Sequence, residues 1–155
     1  MDKPVLREIP AEFRPEAAVS GLTLLTSEWR AYLMCNAMRR IADGRYEAAG
    51  VGIYAFDGVS MCAFGWPNDE ACRLHPVFGG TAYGLYDVLN SPWDAWVTEQ
   101  NRYSFPHSRT HPDLRHFFIA GHDNSFNCLA QSVAMRLAPT WQAALAEITG
   151  IILGG

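Results

Sequence analysis

The stretch from Arg115 to Arg136, RHFFIAGHDNSFNCLAQSVAMR, constrains the fold more than any other part of this chain. Two apolar runs flank a polar centre of His122, Asp123, Asn124 and Ser125, which is the pattern of two antiparallel strands joined by a turn. Asp and Asn are ordinary turn residues. A histidine followed by a carboxylate, with a hydroxyl two places on, also makes an acid/base or ligand cluster. The hairpin therefore presents chemistry at its tip.

The chain of 155 residues is the size of one domain, able to bury roughly 70% of the surface that its unfolded form exposes. Apolar residues make up 49% and charged residues 18%, a globular rather than a disordered composition. A net charge of -4, with no basic run longer than Arg39 and Arg40, argues against nucleic acid as a partner. The segment MDKPVLREIPAEFRPE contains neither a signal-peptide core nor a membrane span, so the expectation is a cytoplasmic protein with no membrane partner. Cys35, Cys62, Cys72 and Cys128 lack CxxC spacing and read as free thiols.

Residues 1–20 carry three prolines and no periodicity, and are read as an irregular lead-in. From Thr23 to Ala37 the odd positions Leu25, Trp29, Ala31, Leu33, Cys35 and Ala37 are apolar, which favours one long strand over the helix that Leu25, Trp29, Leu33 and Ala37, four apart, would also allow. GVGIYAF and VSMCAFG, separated by Asp57 and Gly58, predict a hairpin. The segment from Trp66 to Thr81 is a loop with at most a short helical turn. YGLYDVL is a further strand. Ser91, Pro92 and Asp94 then supply an N-cap, a first-turn proline and a first-turn acid, so a helix begins there, with Trp93, Trp96, Val97 and Gln100 on one face. Residues Asn101 to Leu114 form a second long connection. A second helix over TWQAALAEITG is expected to stop at Gly150. The sum is one α+β domain over residues 1–155, built on a mostly antiparallel sheet of about five strands with two helices.

The loop FGWPNDEACRLHP gathers Asn68, Asp69, Glu70, Cys72 and His75 after an apolar strand, where sites are commonly built. Two adjacent carboxylates can divide labour, one ionised and one nearer neutrality, as proton transfer requires. Asn68 is equally a good N-cap for a helical turn from Glu70 to Leu74. His122 suits a general base or acid near neutral pH, oriented by Asp123 and assisted by Ser125. Cys128 is discounted as its nucleophilic partner, since if strand pairing resumes after the tip, six residues of strand put the thiol about 20 Å away. His107, His111 and His116 lie in or beside the second long loop and read as solvated. A metal would require two of them to meet His75 or His122 with Asp69, Glu70 or Asp123, and no metal site is assigned. Trp66, Tyr83, Tyr86, Trp93, Trp96 and Tyr103 are aromatics for a pocket or the core. The terminal Leu153, Gly154 and Gly155 read as a frayed end.

PNDEACRLHP from Pro67 to Pro76, YGLYDVLNSPW from Tyr83 to Trp93 and RHFFIAGHDNSFNCLA from Arg115 to Ala130 together resemble a family of bacterial proteins of unknown function. That family carries PNDEA with a downstream HP, YG followed by SxW, and HF with HDSxFxC. The resemblance spans about Trp29 to Ala130 and implies no activity. Asn124 and Asn127 stand where its pattern has Ser and Glu.

These residues define a first expectation. Asp69, Glu70, His122 and Asp123 would act as proton-transfer groups, and Asn68, His75, Ser125 and Trp66 would bind ligand, in one concave site for a small molecule with proton transfer or hydrolysis. No cofactor is specified. A second expectation is an accessory or toxin-neutralising factor without catalysis, whose acidic, tryptophan-bearing surface docks a protein partner; a homo-oligomer is compatible with either.

Overall fold

Consecutive rather than alternate apolar residues fill positions 31–35 and 53–56, as befits strands covered on both faces. The computed structural model, which describes residues 2–107 and 113–154, shows what covers them. In chain order its elements are β1 (Val5–Glu8), β2 (Arg14–Pro15), β3 (Thr23–Thr26), β4 (Arg30–Arg40), β5 (Tyr46–Asp57), β6 (Met61–Phe64), α1 (Asp69–Arg73), β7 (Gly84–Leu89), α2 (Pro92–Arg102), β8 (Arg115–Ala120), β9 (Ser125–Ala130), β10 (Ser132–Ala138) and α3 (Trp141–Gly154). The strands form two antiparallel sheets of five. One runs β1-β7-β8-β9-β6, and the other runs β10-β5-β4-β2 with β3 also paired to β4.

The sheets stack through their inner faces. Leu33, Cys35, Tyr54 and Phe56 of one meet Leu85, Phe117, Ile119, Phe126 and Cys128 of the other. Phe56 lies 5.6 Å from Phe117 and 5.3 Å from Phe126, ring centre to ring centre. Full burial of each such ring contributes about 1.5–3 kcal/mol, so these three rings are a large part of what holds the sheets together. The alternate residues Tyr32, Met34, Val51, Ile53 and Ala55 turn outward and pack with Ala144 and Ile148 of α3. On the far side of the other sheet, Tyr86, Val88, Phe118 and Ala120 cluster with Cys72, Val77 and Phe78 from the 66–83 segment.

The fold is α+β in the broad sense, but it is mostly β, with two sheets and three helices where one sheet and two helices are expected from sequence. The reason lies at Asp57 and Gly58. They do not close a hairpin: β5 pairs with β4 and β10, whereas β6 pairs with β9. Gly58, at φ 64°, turns the chain out of one sheet into the other. Gln131 makes the reverse crossing from β9 to β10, and its N–H donates to the Asp57 carbonyl at 3.0 Å. A turn dipeptide reports a reversal but not which strand each arm then joins.

Other departures are local. The 23–37 strand is a hairpin, β3 and β4, closed by Ser27 N–H to Arg30 C=O at 2.9 Å. Residues 1–20, expected to be irregular, contribute β1 and β2 to separate sheets. Trp96 is exposed instead of lining the packed face of α2, whose buried residue is Thr98. The last helix passes through Gly150 to Gly154 because Ile151 and Ile152 beyond it still pack on the outer face of β4 and β5. His116, expected to be solvated, is 4% exposed within β8. His111 and Gly155 lie outside the described residues. No helix among those described is long and apolar enough to cross a membrane.

Candidate functional site

The tip of the β8–β9 hairpin is held from two directions. Its closing pair is Ala120 opposite Ser125, with Gly121 N–H donating to the Asn124 carbonyl at 3.1 Å. Asp123 sits in the left-handed region at φ 63°, a conformation that a short polar side chain tolerates better than most. From outside, the His122 N–H donates to Ser20 Oγ at 2.6 Å, and that hydroxyl donates to the Glu16 carbonyl at 2.7 Å. Ser20 is 1% exposed, so the N-terminal segment fixes where the histidine points.

The 66–83 segment is fastened to the same sheet face by a column of rings. His75 stacks on Phe78 with centres 4.5 Å apart, and Phe78 stacks on Phe118 of β8 at 4.3 Å. His75 Nδ1 accepts from the N–H groups of Val77 and Phe78 at 3.1 and 3.2 Å. Asn68 Oδ1 caps α1 by accepting from Ala71 N–H at 3.0 Å. Local capping thus sets the first residue of α1, Asp69, against the hairpin tip.

There the two loops meet. Asp69 Oδ2 lies 3.4 Å from His122 Nδ1, and Asp123 Oδ2 lies 3.5 Å from Nε2. Both contacts are longer than a good hydrogen bond, yet well within the 4–6 Å over which charges act on one another. Tyr83 Oη donates to Asp69 Oδ2 at 3.0 Å. Burial pushes the Asp69 carboxyl up, but the hydrogen bonds from Tyr83 and the Glu70 N–H and the charge of His122 outweigh it and leave the carboxyl below its ordinary value. Burial raises the Tyr83 phenol, and the neighbouring Asp69 and Asp123 carboxylates raise it further. Asp69 is thereby held as a carboxylate, with Tyr83 as a protonated donor.

A cavity of about 350 Å³ opens beside this cluster, lined by residues that include Arg14, Asp69, Arg73, Tyr83, Asn124 and Ser125. Three polar atoms of its lining residues have no hydrogen-bond partner among the described residues: Arg14 Nε, Asn124 Oδ1 and Ser125 Oγ. Leaving a buried polar atom unpaired costs about 1–3 kcal/mol. Three such atoms line this one cavity, where a polar group could reach them. One ring nitrogen of His122 and one oxygen each of Asp69 and Asp123 also fall within 4.8 Å of one another, a donor set that a divalent cation could use.

Of the residues singled out from sequence, Asp69, His122 and Asp123 converge, and Ser125, 1% exposed, lines the cavity. The others serve elsewhere. Glu70 is exposed and contributes its backbone N–H to Asp69 Oδ1 at 3.0 Å. Asn68 is spent on its cap, and both His75 Nδ1 contacts are to its own loop. Trp66 is 70% exposed. Cys128 is fully buried, and burial first, then the nearby Cys62, pushes its thiol up. Sequence reasoning missed Arg14 and Ser20. Neither sits in a motif, and only the return of the N-terminal segment to the hairpin tip gives them a role. Compared with family models, curated proteins and solved structures, the chain matches none.

Proposed function

We propose that the cavity between the 66–83 segment and the hairpin tip binds a small polar molecule and that His122 transfers a proton on it. The observation carrying this reading is the placement of carboxylates from two separate loops against the two nitrogens of one imidazole. An imidazole is suited to exchanging protons near neutral pH, and Asp69, held ionised, orients the ring and balances its charge. Arg14 and Arg73 on the lining favour a ligand with a carboxylate or phosphate, while Asn124 Oδ1 and Ser125 Oγ are free to bond its polar substituents. The reaction class that fits is proton transfer or hydrolysis at a bond beside the His122 ring.

Thermal unfolding in the presence of phosphate, citrate and other small carboxylates tests binding. A ligand at a hundred times its Kd stabilises by about 2.7 kcal/mol. Wild type should gain Tm with at least one such anion, whereas His122→Gln and Arg14→Gln, folded by near-ultraviolet circular dichroism, should lose the gain. If no anion stabilises the wild type, or both variants keep the full effect, the reading fails. The same measurement with EDTA separates proton transfer from cation binding, since a gain that EDTA abolishes belongs to a metal at Asp69, His122 and Asp123.

A further inference from the structure

A second polar line lies on the same sheet face, outside the site just described. Strand β7 ends at Leu89, Asn90 takes the left-handed φ of 56°, and Ser91 caps α2, accepting from Trp93 N–H at 3.2 Å. This is a sharp strand-to-helix turn that sets the Ser91 hydroxyl at the start of α2. Ser91 Oγ is 2.6 Å from His116 Nδ1, and His116 Nε2 is 3.0 Å from Asn127 Oδ1.

The hydrogen assignments follow from the partners. The Asn127 amide oxygen can only accept, so His116 Nε2 carries the proton and Nδ1 offers a lone pair. The serine hydroxyl therefore donates to Nδ1. Burial keeps this imidazole neutral, lowering it to about 4 against the opposing pull of Asn127 and Asp87. The Trp93 indole stacks on the ring at 4.3 Å and fixes its plane. Ser91 and His116 border a cavity of about 350 Å³, shared with Arg7, Asp87, Asn90 and Asp94. Asp94 Oδ1 is buried there with no partner among the described residues.

We propose that Ser91 is an activated nucleophile, with His116 as its general base and Asn127 as the positioning residue, acting on a small acyl ester bound in this cavity. The Ser91 oxygen bonds to the acyl carbon as its proton passes to His116 Nδ1. Collapse of the adduct breaks the bond to the alcohol oxygen, which leaves with that proton. Water then gives a proton to Nδ1 and attacks the acyl-serine, releasing the carboxylic acid and restoring the hydroxyl. Negative charge forming on the adduct sits at the positive end of α2.

The test is labelling of the full chain by a fluorophosphonate, read by intact mass and peptide mapping, beside hydrolysis of p-nitrophenyl acetate. The folded protein should take one label, at Ser91, on the order of a hundredfold faster than the urea-unfolded chain. Asn127→Leu should slow both labelling and hydrolysis at least about tenfold, the scale of a lost orienting bond, and Asn127→Asp, which still accepts from Nε2, should restore them. A purely structural relay would not move these rates. Absence of label at Ser91 in the folded protein, or a rate no faster than in urea, overturns the proposal, as does a folded His116→Gln that labels at the wild-type rate. None of these readouts depends on anion binding near His122.

Discussion

Acidification should destabilise this protein well before its carboxylates titrate, and His116 is the cause. The ring is 4% exposed, and burial lowers it from 6.5 to about 4 in the folded state. In the unfolded chain it protonates on the way down through its ordinary value. Between those two points the unfolded chain holds more protons than the native one, so stability is complete above about pH 6.5 and is lost as the pH falls toward about 4. At about 1.4 kcal/mol per pH unit the loss approaches roughly 3 kcal/mol, a large share of the 5–15 kcal/mol by which domains are stable. The lowered carboxyls of Asp43, Asp69 and Asp87 act with the same sign, but only as the pH falls through and below their ordinary value of 3.8. Asp94, raised by burial, acts oppositely and softens the fall just above that value. Urea unfolding followed by tryptophan fluorescence at half-unit steps from pH 7 to 4.5 measures the slope. His116→Gln should start less stable at pH 7 and lose most of the slope. A flat wild-type profile over this window, or an unchanged slope in the variant, would refute the assignment of a neutral buried imidazole.

Two further substitutions probe the frame around the sites. At Gly52 an added Cβ would lie 2.1 Å from Cε2 of the buried Phe13 ring; Gly52→Ala should cost about 1–3 kcal/mol through overpacking, and an unshifted urea midpoint would count against the tight approach. Ser20→Ala removes the acceptor of the His122 N–H, with an expected loss of about 1–3 kcal/mol and faster hydrogen exchange of that amide. Unaltered protection of the His122 amide would show that the tip is anchored otherwise.

What the sequence disclosed was whatever depends on neighbours along the chain. The caps at Asn68 and Ser91 are read from three or four consecutive residues, and both stand in the structure. The β8–β9 hairpin follows from its apolar runs. Asp69 and His122 were paired on residue type, and the approach of their loops was a matter of tertiary geometry. Sheet membership was illegible for a physical reason: β4 and β5 are buried on both faces, so their apolar runs lack the alternation that tells one face from the other. His116 borders a loop rich in polar residues, while the ring stacked on it is Trp93 of α2, 23 residues earlier in the chain, so no local cue announces its burial. Arg14 and Ser20 carry no signal except their position, which only folding makes meaningful.

The strict alternation along β8 and β9 has a mechanical consequence. Phe117, Ile119, Phe126, Cys128 and Ala130 belong to the interior between the sheets, whereas Phe118 and Ala120 belong to the cluster on the opposite face, the face that also carries Ser125 and His116–Asn127. Both sets are buried, so the pair ties two packed layers together, and a polar substitution at Phe118 should loosen the 66–83 segment while one at Phe117 should loosen the contact between the sheets.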